Sequence, residues 1–395
     1  MKLADRKNIV DMGLDPDDLV SYAGGWVAHR APEALRAEYE AIAGDPDVFH
    51  SLGGYAPTRG LPGLREALLA TDAEFYGTRG LTDDHIIVGA SSTQLTYSLF
   101  VALLDPGDSV VVFDPAYANY SPQLALCQED IQTVHLSVID PATWSFCQDA
   151  DRVIADLERI LEEHTPRLLL FSSPDNPTGQ MVPDDLFDRI LDVTRDAGCF
   201  VAVDQAYRMQ HFLDEEPRQL SASPVDHPHL IRLHSNSKWC RGLGRRLGWI
   251  EAAPEIVNAL EIVQQATSLC GDTVHQHALA EYLRKALADG SLRSYLADAK
   301  AEYQAAAQRT SSCIEKYLGL RHMPPQGGLY TVVDVERDGD EFVLDVLRNT
   351  GVIFVPGSGF GPSLNNAIRV SYGPLVQDLD RLEEGFRRVR DYLNG

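Results

Sequence analysis

Short apolar runs alternate, along the first two-thirds of the chain, with longer stretches whose apolar residues have helical spacing. Several runs are almost continuous Val, Ile, Leu and Phe, which is typical of strands buried on both faces of a sheet. The predicted strands are His85–Val88, Ser109–Phe113, Thr133–Leu136, Arg167–Ser172, Cys199–Asp204, Leu230–Ser235 and Leu247–Glu251. Strands that alternate with helices in this way favour an α/β fold, with a mainly parallel seven-stranded sheet in α/β/α layers.

The pattern changes after residue 272. Asp272–Tyr317 is long and helical, and Asp378–Tyr392 is predicted to be a final amphipathic helix. The strands predicted between them are short: Leu329–Val333, Val352–Val355 and Ala367–Ser371. We therefore expect a second, smaller α+β domain at the C-terminal end. The expected limits are an N-terminal segment at 1–35 that packs on the small domain or the junction, a large domain at 36–275 and a small domain at 276–395.

Composition and charge exclude several classes of protein. The 395 residues include 34 Lys and Arg against 58 Asp and Glu, a net charge of −24 that would repel a phosphate backbone and makes nucleic acid a poor partner. No uncharged apolar run approaches the roughly 18 residues that cross a bilayer, and the first residues have no apolar core of a signal peptide. The six cysteines are scattered without a CxxC pair, so we expect no disulfide framework and no metal site. These features predict a cytoplasmic protein without membrane or nucleic-acid partners.

One of the few lysines lies in an unusual loop. Lys238 follows the predicted strand Leu230–Ser235 within Ser235-Asn236-Ser237-Lys238, and glycines and Arg246 come after it. Small polar residues before a lysine, then glycines and an arginine, are typical of a loop that anchors a cofactor, although a surface lysine in a glycine-rich turn has the same pattern.

Two further motifs follow predicted strands. Asn176-Pro177-Thr178-Gly179 comes soon after the strand Arg167–Ser172, and Asp204-Gln205-Ala206-Tyr207 ends the next one. In this order and spacing, the three motifs resemble those of the class I/II aminotransferases, pyridoxal-phosphate enzymes of fold type I. The resemblance extends from about Gly24 to the C-terminal helix.

The resemblance implies a set of catalytic residues. Lys238 would form the Schiff base with pyridoxal 5′-phosphate and then move the substrate's α-proton. Asp204 would face the pyridine nitrogen and keep it protonated, so that the ring acts as an electron sink. Asn176 and Tyr207 would hold the phenolic oxygen. For Asn176 taken alone, a structural turn residue before Pro177 is the alternative.

The phosphate would be bound by a helix N-terminus and two further side chains. Gly89-Ala90-Ser91-Ser92-Thr93 lies between a strand and the helical stretch Gln94–Leu103, which gives free N–H groups and hydroxyls. Ser235 and Arg246 match the family's phosphate-binding serine and arginine, and the interval from Lys238 favours Arg246 over Arg245. Tyr55 matches a tyrosine that reaches the neighbouring subunit's phosphate, which implies a homodimer with shared active sites. The stretch Thr267–Cys270 is a second candidate to cross that interface.

Other residues would contact the cofactor ring or the substrate. Tyr117 matches an aromatic residue that stacks on the ring, and a core aromatic is the alternative. Arg369 matches the family's arginine that binds the substrate's α-carboxylate. Its neighbours Ile368 and Val370 would face the core, which leaves Arg369 pointing to the opposite side of the strand. Gly25 and Trp26 lie where relatives close over the substrate with a glycine and a proline, so Trp26 either shapes the pocket, together with His29, or packs between the domains.

The function that these residues imply is an aminotransferase of amino-acid metabolism or biosynthesis that exchanges an amino group between an amino acid and a 2-oxo acid. The acidic chain makes a basic amino acid, such as arginine or a derivative, one substrate hypothesis. A pyridoxal-phosphate lyase, cyclase or oxidase on the same scaffold is the alternative. A non-enzymatic pyridoxal-phosphate-binding regulator is remote, because no DNA-binding segment precedes the cofactor domain and both Lys238 and Asp204 are present.

Overall fold

The apolar runs of the first two-thirds of the chain form one sheet in the computed structural model, which describes residues 5–395. The strands are β1 (Val20–Ser21), β2 (Ile86–Gly89), β3 (Ser109–Asp114), β4 (Gln132–Ser137), β5 (Leu168–Ser172), β6 (Phe200–Asp204), β7 (Leu230–Ser235), β8 (Gly248–Glu251), β9 (Tyr330–Asp334), β10 (Val352–Ile353), β11 (Val355–Pro356) and β12 (Ala367–Ser371). The helices are α1 (Arg6–Asp11), α2 (Glu33–Gly44), α3 (Pro46–Ser51), α4 (Pro62–Tyr76), α5 (Ser92–Leu103), α6 (Tyr120–Cys127), α7 (Ala150–His164), α8 (Asp184–Asp196), α9 (Arg218–Ser221), α10 (Pro254–Thr267), α11 (Thr273–Ala288), α12 (Ser291–Cys313), α13 (Gly339–Thr350) and α14 (Leu379–Asn394).

The large sheet has seven strands in the order β2-β8-β7-β6-β5-β3-β4. Strand β8 is antiparallel to both its neighbours, and the other pairs are parallel. Alternate residues of β3 and β5 enter different cores, one with α5 and α10 and the other with α7 and α8. Helices therefore cover both faces, which is why these strands are buried throughout and mostly apolar. The predicted fold class is confirmed.

A separate core, called the second core below, lies outside the large sheet and contains the C-terminal strands and the N-terminal segment. Strands β11, β12 and β9 form an antiparallel sheet, and β1 pairs in parallel with β10. Tyr22 and Val27 pack in this core with residues of α13 and α14. The single strand expected at Val352–Val355 is instead two short strands in different sheets. The chain changes partner at Phe354, whose buried ring stacks on Tyr22 at 5.1 Å.

The helical stretch predicted from residue 272 is broken into two helices. It is interrupted at Asp289-Gly290, where Gly290 has φ 76°, a left-handed conformation that suits glycine. Helix α11 packs with α2 and α4 in a further core on the large-sheet side. Helix α12 begins in this core and continues into the second core. The limits of the domains stay a prediction.

No helix within residues 5–395 is both long and apolar enough to span a membrane. Strands β5, β6 and β7 end side by side, at Ser172, Asp204 and Ser235. Because the carboxyl ends of parallel strands open into a crevice at one edge of the sheet, the polar residues that follow them meet there.

Candidate active site

A cavity of about 310 Å³ lies at these strand ends, which is within the usual size range of small-ligand sites. Its wall consists of Gly25, Ser92, Thr93, Thr96, Tyr117, Gln123, Ser172, Asn176, Asp204, Ala206, Tyr207, Ser235, Ser237, Lys238, Leu243, Arg246, Tyr330 and Arg369. The wall includes every site residue predicted from the sequence except Ser91, Trp26 and Tyr55.

Lys238 supplies the cavity with a primary amine. It follows β7, and its Nζ donates a hydrogen bond to the carbonyl oxygen of Gly25. The same amine lies 5.6 Å from the centre of the Tyr207 ring. The lysine is therefore held at the junction of the large sheet and the N-terminal segment.

Asp204 supplies a buried carboxylate at the end of β6. Its Oδ2 accepts a hydrogen bond from the Tyr120 hydroxyl at 3.1 Å, and Oδ1 accepts one from the Ala206 N–H at 3.0 Å. Burial raises the pKa of Asp204 above the usual range of an aspartate, and these donors and Lys238 oppose the rise. None of the described residues forms an ion pair with it. A buried carboxylate without a paired cation is electrostatically suited to a positively charged ligand group.

Arg369 is held between two aromatic rings. The centre of its guanidinium lies 4.4 Å from the Tyr330 ring and 4.8 Å from the Phe360 ring. One terminal nitrogen donates to Asn176 Oδ1 and the other to the Ala23 carbonyl, both at 2.9 Å. Its buried Nε has no hydrogen-bond partner among the described residues. Such a planar, fixed and always charged fork is suited to a carboxylate.

Tyr207 and Asn176 direct donors into the cavity. The Tyr207 hydroxyl lies 2.9 Å from that of Tyr330, and burial raises the pKa of Tyr207 well above the usual range. Tyr207 therefore stays protonated and can donate. Because Asn176 Oδ1 already accepts from Arg369, its amide N–H₂ is the group left to donate.

A further group of wall residues is suited to an anion. Ser92 and Thr93 form the first turn of the 12-residue helix α5, whose N–H groups lack partners within the helix. Ser235 and Arg246 approach from β7 and the loop after it. Ser91 is not in the wall, because its hydroxyl oxygen caps the helix by accepting from the Gln94 N–H at 3.0 Å. Arg245 also lies outside the wall and stacks 4.6 Å from the Tyr39 ring.

Tyr117 forms one side of the cavity and is braced by its neighbours. Its ring meets that of Tyr120 edge-on at 5.4 Å, and its hydroxyl accepts from the Asn119 amide at 2.9 Å. Burial raises the pKa of Tyr117 to about 12, so the phenol is neutral at physiological pH.

Three residues that the sequence analysis discussed lie outside the wall of the cavity: Trp26, His29 and Tyr55. Gly25 is in the wall, but Trp26 is half exposed and lies outside it. His29 is also outside the wall and is buried between Trp239 and Tyr303, as in the packing alternative. Tyr55 is 86% exposed and does not reach the cavity of its own chain.

The comparison with known protein families decides the identity. The family model described as "Aminotransferase class I and II" matches residues 22–385. The chain belongs to the class I and II aminotransferases. It is a pyridoxal-phosphate-dependent enzyme, as members of this family are.

Relatives of this aminotransferase come from several kingdoms. It is 28% identical over 381 residues to the "Aspartate/prephenate aminotransferase" of Thermus thermophilus, which covers 94% of this chain and 91% of that one. It is 29% identical over 368 residues to the "Aromatic aminotransferase ISS1" of Arabidopsis thaliana, covering 91% and 86%. The solved aspartate aminotransferase of Thermus thermophilus, as a double mutant, has a TM-score of 0.84 at 23% identity and covers 98% of this chain and 94% of that one.

The cavity of the aminotransferase fits pyridoxal phosphate. The wall offers an amine for the cofactor's aldehyde and an unpaired buried carboxylate for its protonated ring nitrogen. It also offers two neutral donors for the phenolic oxygen and an anion site for the phosphate. The Asp204 carboxylate is the most specific of these features, because its burial is unfavourable until a cation faces it.

Sequence reasoning missed several residues of the aminotransferase site. Tyr330 contacts Tyr207 and Arg369, yet nothing distinguishes it from the other residues of the predicted strand Leu329–Val333. Tyr120 was detectable in principle, since it lies three positions after Tyr117, at the first residue of α6. The other unpredicted wall residues are Thr96, Gln123, Ser172, Ala206, Ser237 and Leu243.

Proposed function

We propose that the enzyme transfers the amino group of an α-amino acid to a 2-oxo acid in this cavity. Bound pyridoxal phosphate supplies an electron sink for the bonds of the substrate's α-carbon. Lys238 anchors the cofactor and then carries the α-proton, because its amine is the one base of the wall on a flexible stem. Asp204 fixes the proton on the ring nitrogen. The observation that carries this assignment is the buried, unpaired Asp204 carboxylate facing the same cavity as the Lys238 amine.

The remaining roles follow from the chemistry of the wall. Asn176 and Tyr207 donate to the phenolic oxygen, and Tyr117 covers one face of the ring. Arg369 binds the substrate's α-carboxylate, which replaces the Ala23 carbonyl or Asn176 as its acceptor. The phosphate is held by Ser92, Thr93, Ser235 and Arg246.

We further propose that Tyr55 completes the phosphate site of a second copy. Its side chain is 86% exposed in the single chain. The adjoining segment is fixed, because Thr58 O accepts from Gln264 and Leu52 O accepts from Thr273. Thr273 begins α11, and two residues before it a Cβ on Gly271 would lie 3.6 Å from the carbonyl oxygen of Gly89, which ends the strand that leads to α5.

The substrate we favour has an uncharged side chain. Among the wall residues, Asp204 is the only carboxylate, so a cationic side chain such as that of arginine has no acid to meet beyond the one assigned to the ring nitrogen. A side-chain carboxylate would need a fourth cation, because Lys238, Arg246 and Arg369 already have roles. Tyr117, Tyr330 and Leu243 offer apolar surface instead.

The test is a half-reaction without added oxo acid. Purified holoenzyme is mixed separately with phenylalanine, aspartate and arginine, and the cofactor's absorption and the released oxo acid are measured. We expect the fastest spectral change with phenylalanine and about one equivalent of oxo acid per site. A faster change with arginine or aspartate would refute the substrate class. Continued release of product without loss of the original spectrum would refute transamination in favour of elimination, cyclisation or oxidation.

A further inference from the structure

A cluster of charged residues is buried behind the active site. It joins Asp72 of α4, Arg208 of the turn after β6, Arg232 and His234 of β7, and Glu251 of β8. The side chains of Asp72, Arg232 and Glu251 are fully buried, and that of Arg208 is 3% exposed. Burial lowers the pKa of His234 to about 4, so that at neutral pH two carboxylates balance two guanidinium groups.

Arg208 is tied to this cluster by an ion pair and two rings. It pairs with Asp72 Oδ1, whose other oxygen accepts from Arg232 at 2.5 Å. Its guanidinium lies 4.7 Å from the centre of the Tyr76 ring and 5.8 Å from that of Trp249. Moving Arg208 away would leave two buried carboxylates, those of Asp72 and Glu251, to share the one guanidinium of Arg232, which is strongly unfavourable, so this anchor is stiff.

The backbone of Arg208 belongs to the turn that carries Tyr207. The Arg208 N–H donates to the Gln205 carbonyl at 3.0 Å, and the Gln210 N–H donates to the Tyr207 carbonyl at 2.8 Å. Tyr207 lines the cavity, whereas the next side chain enters the cluster. One short turn therefore connects the active site to the ionic cluster.

We propose that Arg208 is a positioning residue: its ion pair with Asp72 fixes the turn so that the Tyr207 hydroxyl meets the cofactor's phenolic oxygen. The inference rests on the proposed function, since it takes Tyr207 as that donor. A hydrogen bond weakens steeply as its distance and angle depart from the optimum, so a turn held by a buried ion pair preserves it better than one held by its backbone alone.

The experiment compares Arg208→Lys and Asp72→Asn with the wild type, with Tyr207→Phe as the reference. The readout is the pH midpoint of the absorption change of the bound cofactor. Donors to the phenolic oxygen favour its anionic form, so losing a donor raises the midpoint. We expect Tyr207→Phe to raise it by about one to two pH units, and the two cluster variants to raise it by roughly half as much.

Glu251→Gln is the matched control. It removes a charge from the same buried cluster, but Glu251 bonds to Arg232 and His234 rather than to Arg208. We expect thermal unfolding at a lower temperature and an unchanged midpoint.

Each outcome has one meaning. If Tyr207→Phe leaves the midpoint unchanged, the proposed role of Tyr207 is wrong. If Tyr207→Phe shifts it but Arg208→Lys and Asp72→Asn do not, or if Glu251→Gln shifts it equally, the positioning role of Arg208 is wrong. Failure of both cluster variants to fold would assign the ion pair to stability and would also overturn the proposal.

Discussion

The chemistry of Asp204 depends on where the chain buries it. An exposed aspartate needs no partner, but this one is 8% exposed and has a raised pKa caused by burial. The Tyr120 hydroxyl offsets part of that rise with a hydrogen bond at 3.1 Å. Asp204 therefore accepts hydrogen bonds but lacks the cation that would stabilise its buried negative charge.

We predict that Asp204→Asn binds the cofactor but loses about 10²–10⁴-fold in kcat, because the change keeps the shape and removes the negative charge. Tyr120→Phe is the graded control. It removes one donor to Asp204 and leaves the charge, so a loss of only about tenfold is expected. Steady-state kinetics with saturating cofactor measure both, and equal losses in the two variants would contradict the argument.

Sequence motifs predict the wall residues that act through their own functional group. Lys238, Asp204 and Asn176 lie in short motifs next to strand ends, where a parallel sheet gathers side chains. Tyr330 acts differently, because it braces Tyr207 and Arg369, which are 123 and 39 positions away along the chain. Tyr207 packs with Tyr330 in the second core, and Arg369 lies on the strand that pairs with β9, so both contacts are tertiary and no local pattern contains them.

At the scale of elements, the N-terminal segment is as much a part of the site as the strands. A Cβ on Gly25 would lie 2.9 Å from the Tyr330 hydroxyl, which is itself bonded to Tyr207 and cannot move away freely. The segment therefore has to pass the cavity without a side chain at this point.

We predict that Gly25→Ala lowers kcat/KM by about 10- to 100-fold, because the added methyl group displaces Tyr330 and with it Tyr207. Gly63→Ala in α4, where a Cβ meets open space, is the control and should leave kcat/KM unchanged. The prediction fails if the two variants have the same kcat/KM.

His29, in the same segment, makes the stability of the fold depend on pH. His29 Nε2 donates to the Trp239 carbonyl at 3.0 Å, so Nδ1 is the acceptor for the Tyr303 hydroxyl at 2.6 Å, and the ring is neutral. Burial lowers the pKa of His29 from 6.5 to about 4. Between these values the unfolded chain binds a proton that the folded chain does not, and stability falls as the pH falls.

We predict that His29 contributes about 3 kcal/mol to the loss of unfolding free energy between pH 7 and pH 4. Urea unfolding of His29→Gln across this range should show a correspondingly smaller loss. His50→Gln, at an exposed position of α3, should follow the wild type. Parallel curves for His29→Gln and the wild type would exclude His29 as the source.

Long buried strands were predictable and short ones were not. Strands β3 and β5 are mostly apolar and buried throughout because helices cover both faces, and β7 and β12 have the predicted bounds. Strand β1 has two residues and β10 has two, and they pair across more than 330 positions. Such a pairing depends on tertiary packing, since two residues carry no periodicity.

At the scale of the whole molecule, two sheets and the loops that follow their strands contribute side chains to one cavity. Lys238 and Asp204 come from the large sheet, and Arg369 and Tyr330 come from the smaller one. If a second copy supplies Tyr55, each active site contains residues from both sheets of one subunit and one residue of the partner subunit.

We predict that Lys238→Ala and Tyr55→Ala, each of low activity alone, regain activity when mixed under conditions that exchange subunits. In a mixed dimer, one site combines the intact Lys238 of one copy with the intact Tyr55 of the other. Random exchange should restore about one quarter of the wild-type activity. A mixture no more active than the two variants apart would contradict the shared site.

The bonds of the N-terminal segment to the site are made by its backbone. The carbonyls of Ala23, Gly24 and Gly25 accept in turn from Arg369, Ser371 and Lys238. Substitution changes a side chain and leaves a carbonyl in place, so an alanine scan would not remove any of these three bonds. Loss or gain of a single residue before position 23 would shift all of them at once. These three bonds therefore depend on the register of the backbone, whereas the identity of a side chain matters where a Cβ would clash, as at Gly25.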